Sequence, residues 1–311
     1  MIEKPMDVLA QFPVRKTKKQ KQEFRDAVQS YAQSLGYEVA IEKKSSAHNI
    51  VLGDPANAKY LITAHYDTPA GMFFPNLITP CNFWAFLAYQ IVITVAIFAA
   101  AMIPGMMLVL FGMDPELAVY IWYCFIWVFL ILMLKGPANK SNANDNTSGV
   151  VTVLETAAAM PEHLRSQVCF VLFDLEEAGL VGSAAYRKMH KKETEDQIIL
   201  NCDCVGDGNE LMMFPTKKLK KDASKMECLR SGCGTSGEKS MDLRESGFAY
   251  YPSDQKNFPY GVGIAAFNRS SWAGLYCDKI HTKKDIVLDE NNVIFLRDCL
   301  IRLVSSSAVQ V

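Results

Sequence analysis

The sequence predicts an α/β fold: a mostly parallel, mixed sheet sandwiched by helices, with an inserted apolar helical hairpin. Three observations predict it. After Lys140, strand-like apolar runs alternate with helix-like segments, the pattern of a parallel sheet covered on both faces. Between Asp67 and Asp114 the chain carries no charged residue. At 311 residues it is long enough for one large domain plus an insertion.

The elements follow in order. Phe24, Val28, Tyr31, Ala32 and Leu35 share one face of a helix over 20–35, which Gly36 stops. The basic run RKTKKQK at 15–21 reads as a solvated helix start, with contact to anionic lipid as the alternative, and is given no function. Short β-rich pieces come next: YEVAIE, HNIVLG and KYLITAHYD. Beyond Lys140 come a helix at 149–159, a strand QVCFVLF, a helix at 181–190, and strands IILNCDC and ELMMFP. A strand GIAAF and a closing helix at 291–304 complete the domain.

FWAFLAYQIVITVAIFAAAMI (83–103) is long enough to cross a bilayer, for which about 20 apolar residues suffice. LAVYIWYCFIWVFLILML (117–134) follows a short acidic connector. The expectation is a transmembrane hairpin over 76–135, inserted into a discontinuous domain of 1–75 and 136–311. Lys135, Lys140 and the basic N-terminal segment favour both ends facing the cytoplasm. A soluble apolar hairpin buried on the domain, or a homodimer formed through it, is the alternative.

Composition narrows the function. Lys and Arg number 32 against 33 Asp and Glu, which leaves no electrostatic footprint for nucleic acid. Nine cysteines form no CxxC pair, and the N-terminus lacks an apolar signal segment, so a reducing compartment is expected.

Three strand-like runs end in metal-binding residue types: YLITA into His65 and Asp67, CFVLFDL into Glu176-Glu177, and IILNC into Asp203. Ligand sites of open α/β sheets lie at the carboxyl ends of the strands, so the three should converge. The loop KSNANDNTSGV adds Asp145 just before a helix, and KIHTKKD adds His281. Two imidazoles and several carboxylates suit two zinc ions sharing a carboxylate. A rigid Asp145 suits the bridge. The adjacent Glu176 and Glu177 can divide the work of base and ligand.

The ordered motifs AHYDT, NDNTSG, FDLEEAGLVGS, NCD and IHT resemble the co-catalytic zinc aminopeptidase family, which includes bacterial leucyl aminopeptidase, with glutamate carboxypeptidase and glutaminyl cyclase as relatives. The resemblance covers about 59–70 and 136–285. It implies that His65 and Asp203 bind one metal and Glu177 and His281 the other, with Asp145 bridging. Glu176 would be the general base to a hydroxide held between the metals, and Asp67 would orient His65. A strained peptide beside Asp145 is also implied. The implied reaction is release of N-terminal residues from a peptide substrate. Cyclisation of N-terminal glutamine and a non-catalytic scaffold are the alternatives.

Two features depart from the family pattern. Ser253-Asp254-Gln255 stands where many relatives carry Ser-Asp-His near the substrate pocket, and the hairpin itself is inserted between the first two ligand motifs. His48, His163 and His190 read as solvated surface residues and Asp207 as a turn residue. Asp174 could orient a neighbour, and Tyr251 and Tyr260 read as packing residues.

Overall fold

A computed structural model describes residues 2–308. Its centre is a ten-stranded mixed sheet. The strands are β1 (Val39–Lys44), β2 (Ala47–Leu52), β3 (Tyr60–His65), β4 (Val168–Phe173), β5 (Ile198–Cys202), β6 (Glu210–Pro215), β7 (Gly234–Ser236), β8 (Lys239–Leu243), β9 (Gly261–Ser270) and β10 (Gly274–Tyr276). Their order is β1-β2-β4-β3-β5-β9-β6-β8-β7, with β10 paired to β9. The middle four, β4-β3-β5-β9, run parallel. Outside them the pairings are antiparallel, apart from the parallel pair β6-β8.

The near-continuous apolar runs of the central strands follow from burial on both faces. Side chains alternate between two cores. Ile50, Leu52, Ile62, Phe170 and Leu172 join the larger core, under helices α2 (Lys18–Ser34), α5 (Gly149–Ala159) and α8 (Glu290–Ala308). Val51, Leu61, Val171 and Phe173 join the opposite one, with Tyr186 of α6 (Val181–Met189). Each such side chain contributes about 1.5–3 kcal/mol by leaving water. A short α1 (Asp7–Gln11) precedes α2.

Thr17 caps α2 reciprocally with Gln20, which starts the helix at Lys18, two residues earlier than expected. The solvated reading of the basic run fails at two positions. Arg15 is fully buried, donating to the carbonyls of Tyr66 and Phe12 at 2.6 Å each and to Thr147 Oγ1 at 3.1 Å. Lys21 is buried in a 2.5 Å ion pair with Asp174. Both find acceptors that are distant in sequence, which local periodicity does not register.

The segment after β6 had no assignment from its pattern. It folds as α7 (Ala223–Gly232) followed by the β7-β8 hairpin. All three elements are short and carry few buried apolar side chains, so their periodicity is weak.

The apolar segment forms α3 (Phe83–Leu110) and α4 (Pro115–Lys135). α3 does not stop at Ile103 but continues through Pro104. Proline removes one backbone hydrogen bond, and the bonds of the flanking turns carry the helix past it. At Gly105 a Cβ would lie 2.9 Å from the Ala118 carbonyl oxygen, so glycine lets the two helices approach closely. Neither helix is buried: in their most apolar windows 11% of α3 and none of α4 is covered. At the base of the hairpin the chain leaves and re-enters the domain at one place. Ala70 bridges Ala138, Gly71 N–H donates to the Pro137 carbonyl, and Asn139 N–H donates to that of Pro69.

Candidate metal centre

The parallel register puts the carboxyl ends of β4, β3 and β5 side by side. His65 is the last residue of β3; Asp174 to Glu177 follow β4 and Asp203 follows β5. The loop Ala143–Ser148 before α5 and the loop after β10 close over this edge, bringing Asp145 and His281. Gly149 makes the approach of α5 feasible, because a Cβ there would meet the Cys202 carbonyl oxygen at 2.3 Å.

All seven predicted residues meet here. His65 Nε2 lies 3.3 Å from Asp145 Oδ1 and 3.7 Å from Asp203 Oδ1. His281 Nε2 lies 2.9 Å from Asp145 Oδ2 and 3.6 Å from Glu177 Oε1. One donor group is thus His65, Asp145 and Asp203, and another is Asp145, Glu177 and His281. Asp145 belongs to both, presenting one oxygen to each imidazole. Glu176 completes a third grouping with His65 and Glu177, and lines the same cavity of about 140 Å³.

These residues fit divalent cations. Donors about 2.0–2.2 Å from one tetrahedral ion sit about 3.4 Å from one another; three imidazole–carboxylate separations, 3.3, 3.7 and 3.6 Å, scatter around that value, and the fourth, His281 to Asp145, is shorter at 2.9 Å. Glu177 Oε1 is moreover buried with no hydrogen-bond partner, an arrangement that is costly unless a cation supplies the missing interaction.

Asp67 does more than the sequence suggested. Its Oδ1 faces His65 Nδ1 at 3.6 Å, on the ring edge away from Asp145 and Asp203. The same carboxylate accepts the backbone N–H of Glu176 at 2.9 Å and of Glu177 at 3.2 Å. One buried side chain therefore holds the Glu176-Glu177 turn against the β3 end. Leu175, Cys204 and His281 all adopt left-handed backbone conformations, with φ of 58°, 56° and 61°. Such non-glycine residues cost about 1–3 kcal/mol each, and here all three aim the site loops. The peptide bond between Asp145 and Asn146 is cis, at the position where the resemblance implied an unusual peptide.

Electrostatics follow from burial. It pushes Glu176 well above the usual carboxylate range and Glu177 to about 8. Burial opposes the charged form of His281, yet Glu177 and Asp145 outweigh it and raise that imidazole to about 9.

Two carboxylates in this region were not read as site residues from the sequence. Asp285 accepts the backbone N–H groups of Asn144 at 2.7 Å and Asp145 at 3.0 Å, so it cradles the Asp145 loop; its position four residues after His281, in HTKKD, was the available signal. Asp254 is fully buried, is hydrogen-bonded to Ser183 Oγ, and is pushed up to about 7 by burial. Its neighbour Gln255 does not line the cavity but reaches the Tyr251 carbonyl and Asn201.

The remaining candidates fall outside the metal-ligand cluster. Tyr251 lines the cavity with its hydroxyl donating to the Asp203 carbonyl, and its ring stacks on Phe214. Tyr260 lies under Lys218 and Lys225. Asp207 pairs with Lys279. His190 is not simply solvated: it is half-buried and bonded to Glu42 at 2.9 Å. None of the nine cysteines forms a disulfide.

With the geometry in place, comparison with known proteins decides the family. A family model described as peptidase family M28 matches residues 132–292, over half of the chain. The chain belongs to peptidase family M28. Solved structures share the fold of this M28 chain at low identity. The Legionella pneumophila LapA aminopeptidase is 13% identical with a TM-score of 0.57, over 97% of this chain and 70% of that one. A Zn-dependent exopeptidase from Parabacteroides distasonis is 15% identical, TM-score 0.57, over 96% and 94%. The Porphyromonas gingivalis glutaminyl cyclase is 16% identical, TM-score 0.56, over 95% and 93%. No curated protein sequence matches the chain.

Proposed function

We propose that this M28 chain is a di-zinc exopeptidase of the aminopeptidase type, releasing N-terminal residues from peptides. The observation that carries the reading is Asp145, shared by two donor groups that each include one imidazole. His65 and Asp203 would hold one ion, Glu177 and His281 the other, with Asp145 between them. A pair of zinc ions supplies acidity to bound water and charge stabilisation to the oxyanion of the attacked carbonyl.

The chain's own residues do the rest. Glu176 takes a proton from the attacking water and delivers it to the departing amine as the C–N bond breaks. Asp67 keeps Glu176 in place through the Glu176 N–H and keeps the His65 ring in one orientation. The cavity of about 140 Å³, lined also by Asn76 and Ile78, is of a size to take a chain end.

Glutaminyl cyclisation would need only one ion, for which Asp145, Glu177 and His281 suffice; the complete group of His65, Asp145 and Asp203 favours two. The test is a panel of aminoacyl amides beside a glutaminyl peptide. Hydrolysis of the amides is expected, whereas pyroglutamyl product without amide hydrolysis would make the chain a cyclase.

The hairpin is proposed as a bilayer anchor with the catalytic domain on the cytoplasmic side. Its helices are about 42 and 32 Å long at 1.5 Å per residue, against a hydrocarbon core of about 30 Å. Trp84 and Trp127 lie exposed, as do Leu110, Ile131 and Leu134. The full-length chain is therefore expected in the membrane pellet after a high-salt wash and in solution only with detergent. Recovery in the aqueous fraction would leave a dimer through the hairpin as the better reading.

A further inference from the structure

The basic run that the proposed chemistry leaves unused lines a cavity of its own. Lys16, Lys18, Lys19, Arg25 and Lys43 surround a space of about 650 Å³. The one carboxylate in its wall, Asp174, is already neutralised by Lys21. Lys16, Lys18 and Lys43 have no ion-pair partner among the described residues; Lys19 has only a 3.9 Å contact with Glu23 in solvent. Arg25 is 5% exposed; its Nη atoms donate to Tyr66 Oη at 2.9 Å and Gln22 Oε1 at 2.7 Å, both neutral, and its Nε is buried without a hydrogen-bond partner. The amino end of α2 adds the positive pole of a 17-residue helix. Lys18, Lys19 and Lys43 thus bring positive charge to one concavity with little carboxylate to balance it, an arrangement that an anion relieves.

The cavity's place in the fold indicates which anion. Its wall includes Asp174 and Leu175, while the next two residues, Glu176 and Glu177, line the catalytic cavity. One four-residue turn thus has the basic space on one side and the metal-ligand cluster on the other. Lys16 stands within electrostatic reach of Glu177 and Asp67. A peptide leaving the catalytic cavity would cross the Leu175-Glu176 turn to reach the basic one, a step that an extended chain covers at about 3.3 Å per residue.

We propose that this basic cavity is a subsite for acidic side chains of the peptide beyond the cleaved bond, so that the enzyme prefers substrates acidic downstream of their N-terminal residue. This rests on the peptidase reading above.

The test uses the full chain carrying Glu176→Gln, in non-ionic detergent, with two labelled peptides, Leu-Ala-Glu-Glu-Glu and Leu-Ala-Gln-Gln-Gln, followed by fluorescence anisotropy. The acidic peptide is expected to bind about tenfold more tightly at low salt. That preference should shrink at roughly 0.5 M salt, where screening acts within a few ångströms. It should vanish when Lys18→Glu and Lys43→Glu are added; both side chains are exposed, so the fold tolerates the reversal.

Equal affinity for the two peptides, or a preference that survives the reversal, would overturn the subsite. So would selective retention of phosphatidylglycerol, lost on the reversal and without any peptide preference, which would assign the cavity to lipid. Should neither peptide bind measurably, the same ratio is read from kcat/KM of the chain with Glu176 intact. Failure of the peptidase reading is distinct: neither peptide would then be cleaved by the zinc-loaded chain, whatever its affinity for them.

Discussion

Replacing Glu176 by Gln is expected to lower turnover of an aminoacyl amide by about 10³-fold, within the range of about 10² to 10⁴ that a positioned general base supplies. The substitution keeps the shape of the side chain and the backbone N–H that Asp67 holds, so the loop should not move. It replaces a carboxylate that can accept a proton by a neutral amide that cannot. KM should change little, and metal content measured by mass spectrometry should match that of the unaltered chain. Turnover within about threefold of the original would transfer the role of base to another carboxylate.

The second large effect is expected at Asp145. Its two oxygens address His65 at 3.3 Å and His281 at 2.9 Å, and no other carboxylate belongs to both of these donor groups. Asp145→Asn leaves the backbone N–H that Asp285 accepts, but puts a neutral amide where two cations would share one anion. Metal content should fall from about two ions per chain to one or none. Zinc that binds only the native state stabilises it by RT ln(1 + [L]/Kd), about 4 kcal/mol at a thousandfold excess over Kd, so the rise in Tm on adding zinc should also shrink sharply. Two tightly held ions in the variant would refute the bridging assignment.

Much of this site is readable in one dimension because parallel strands end together. A strand buried on both faces announces itself as an apolar run, and His65, Glu176-Glu177 and Asp203 each follow such a run. The sheet order converts three ends of runs into one place. Interactions made across the fold are another matter. That Asp67 accepts the amides of Glu176 and Glu177, more than a hundred residues away, has no local trace. Arg15 and Lys21 look like any solvated basic run until their partners at Tyr66, Thr147 and Asp174 are in place. Asp254 was visible as a departure from a motif, yet its burial against Ser183 emerges only from packing. The continuation of α3 past Pro104 was missed for a different reason: proline is a strong local stop signal, and the helix overrides it with the bonds of adjacent turns.

The pinning of the hairpin's two ends, Ala70 against Ala138, bears on how the polypeptide is assembled as it is made. β3 lies in the interior of the sheet, yet both strands that flank it emerge from the ribosome later, with Tyr60 pairing Val168 on one side and Ile198 on the other. β3 therefore waits without its neighbours while more than a hundred residues are synthesised, a high contact order that slows folding. A hairpin that closes on itself first, with Ala70 against Ala138, removes about two thirds of that intervening chain from the search, which eases closure of the loop by about 1 kcal/mol. The insertion that interrupts the sequence between β3 and β4 thus shortens the distance that an interior strand must span in time.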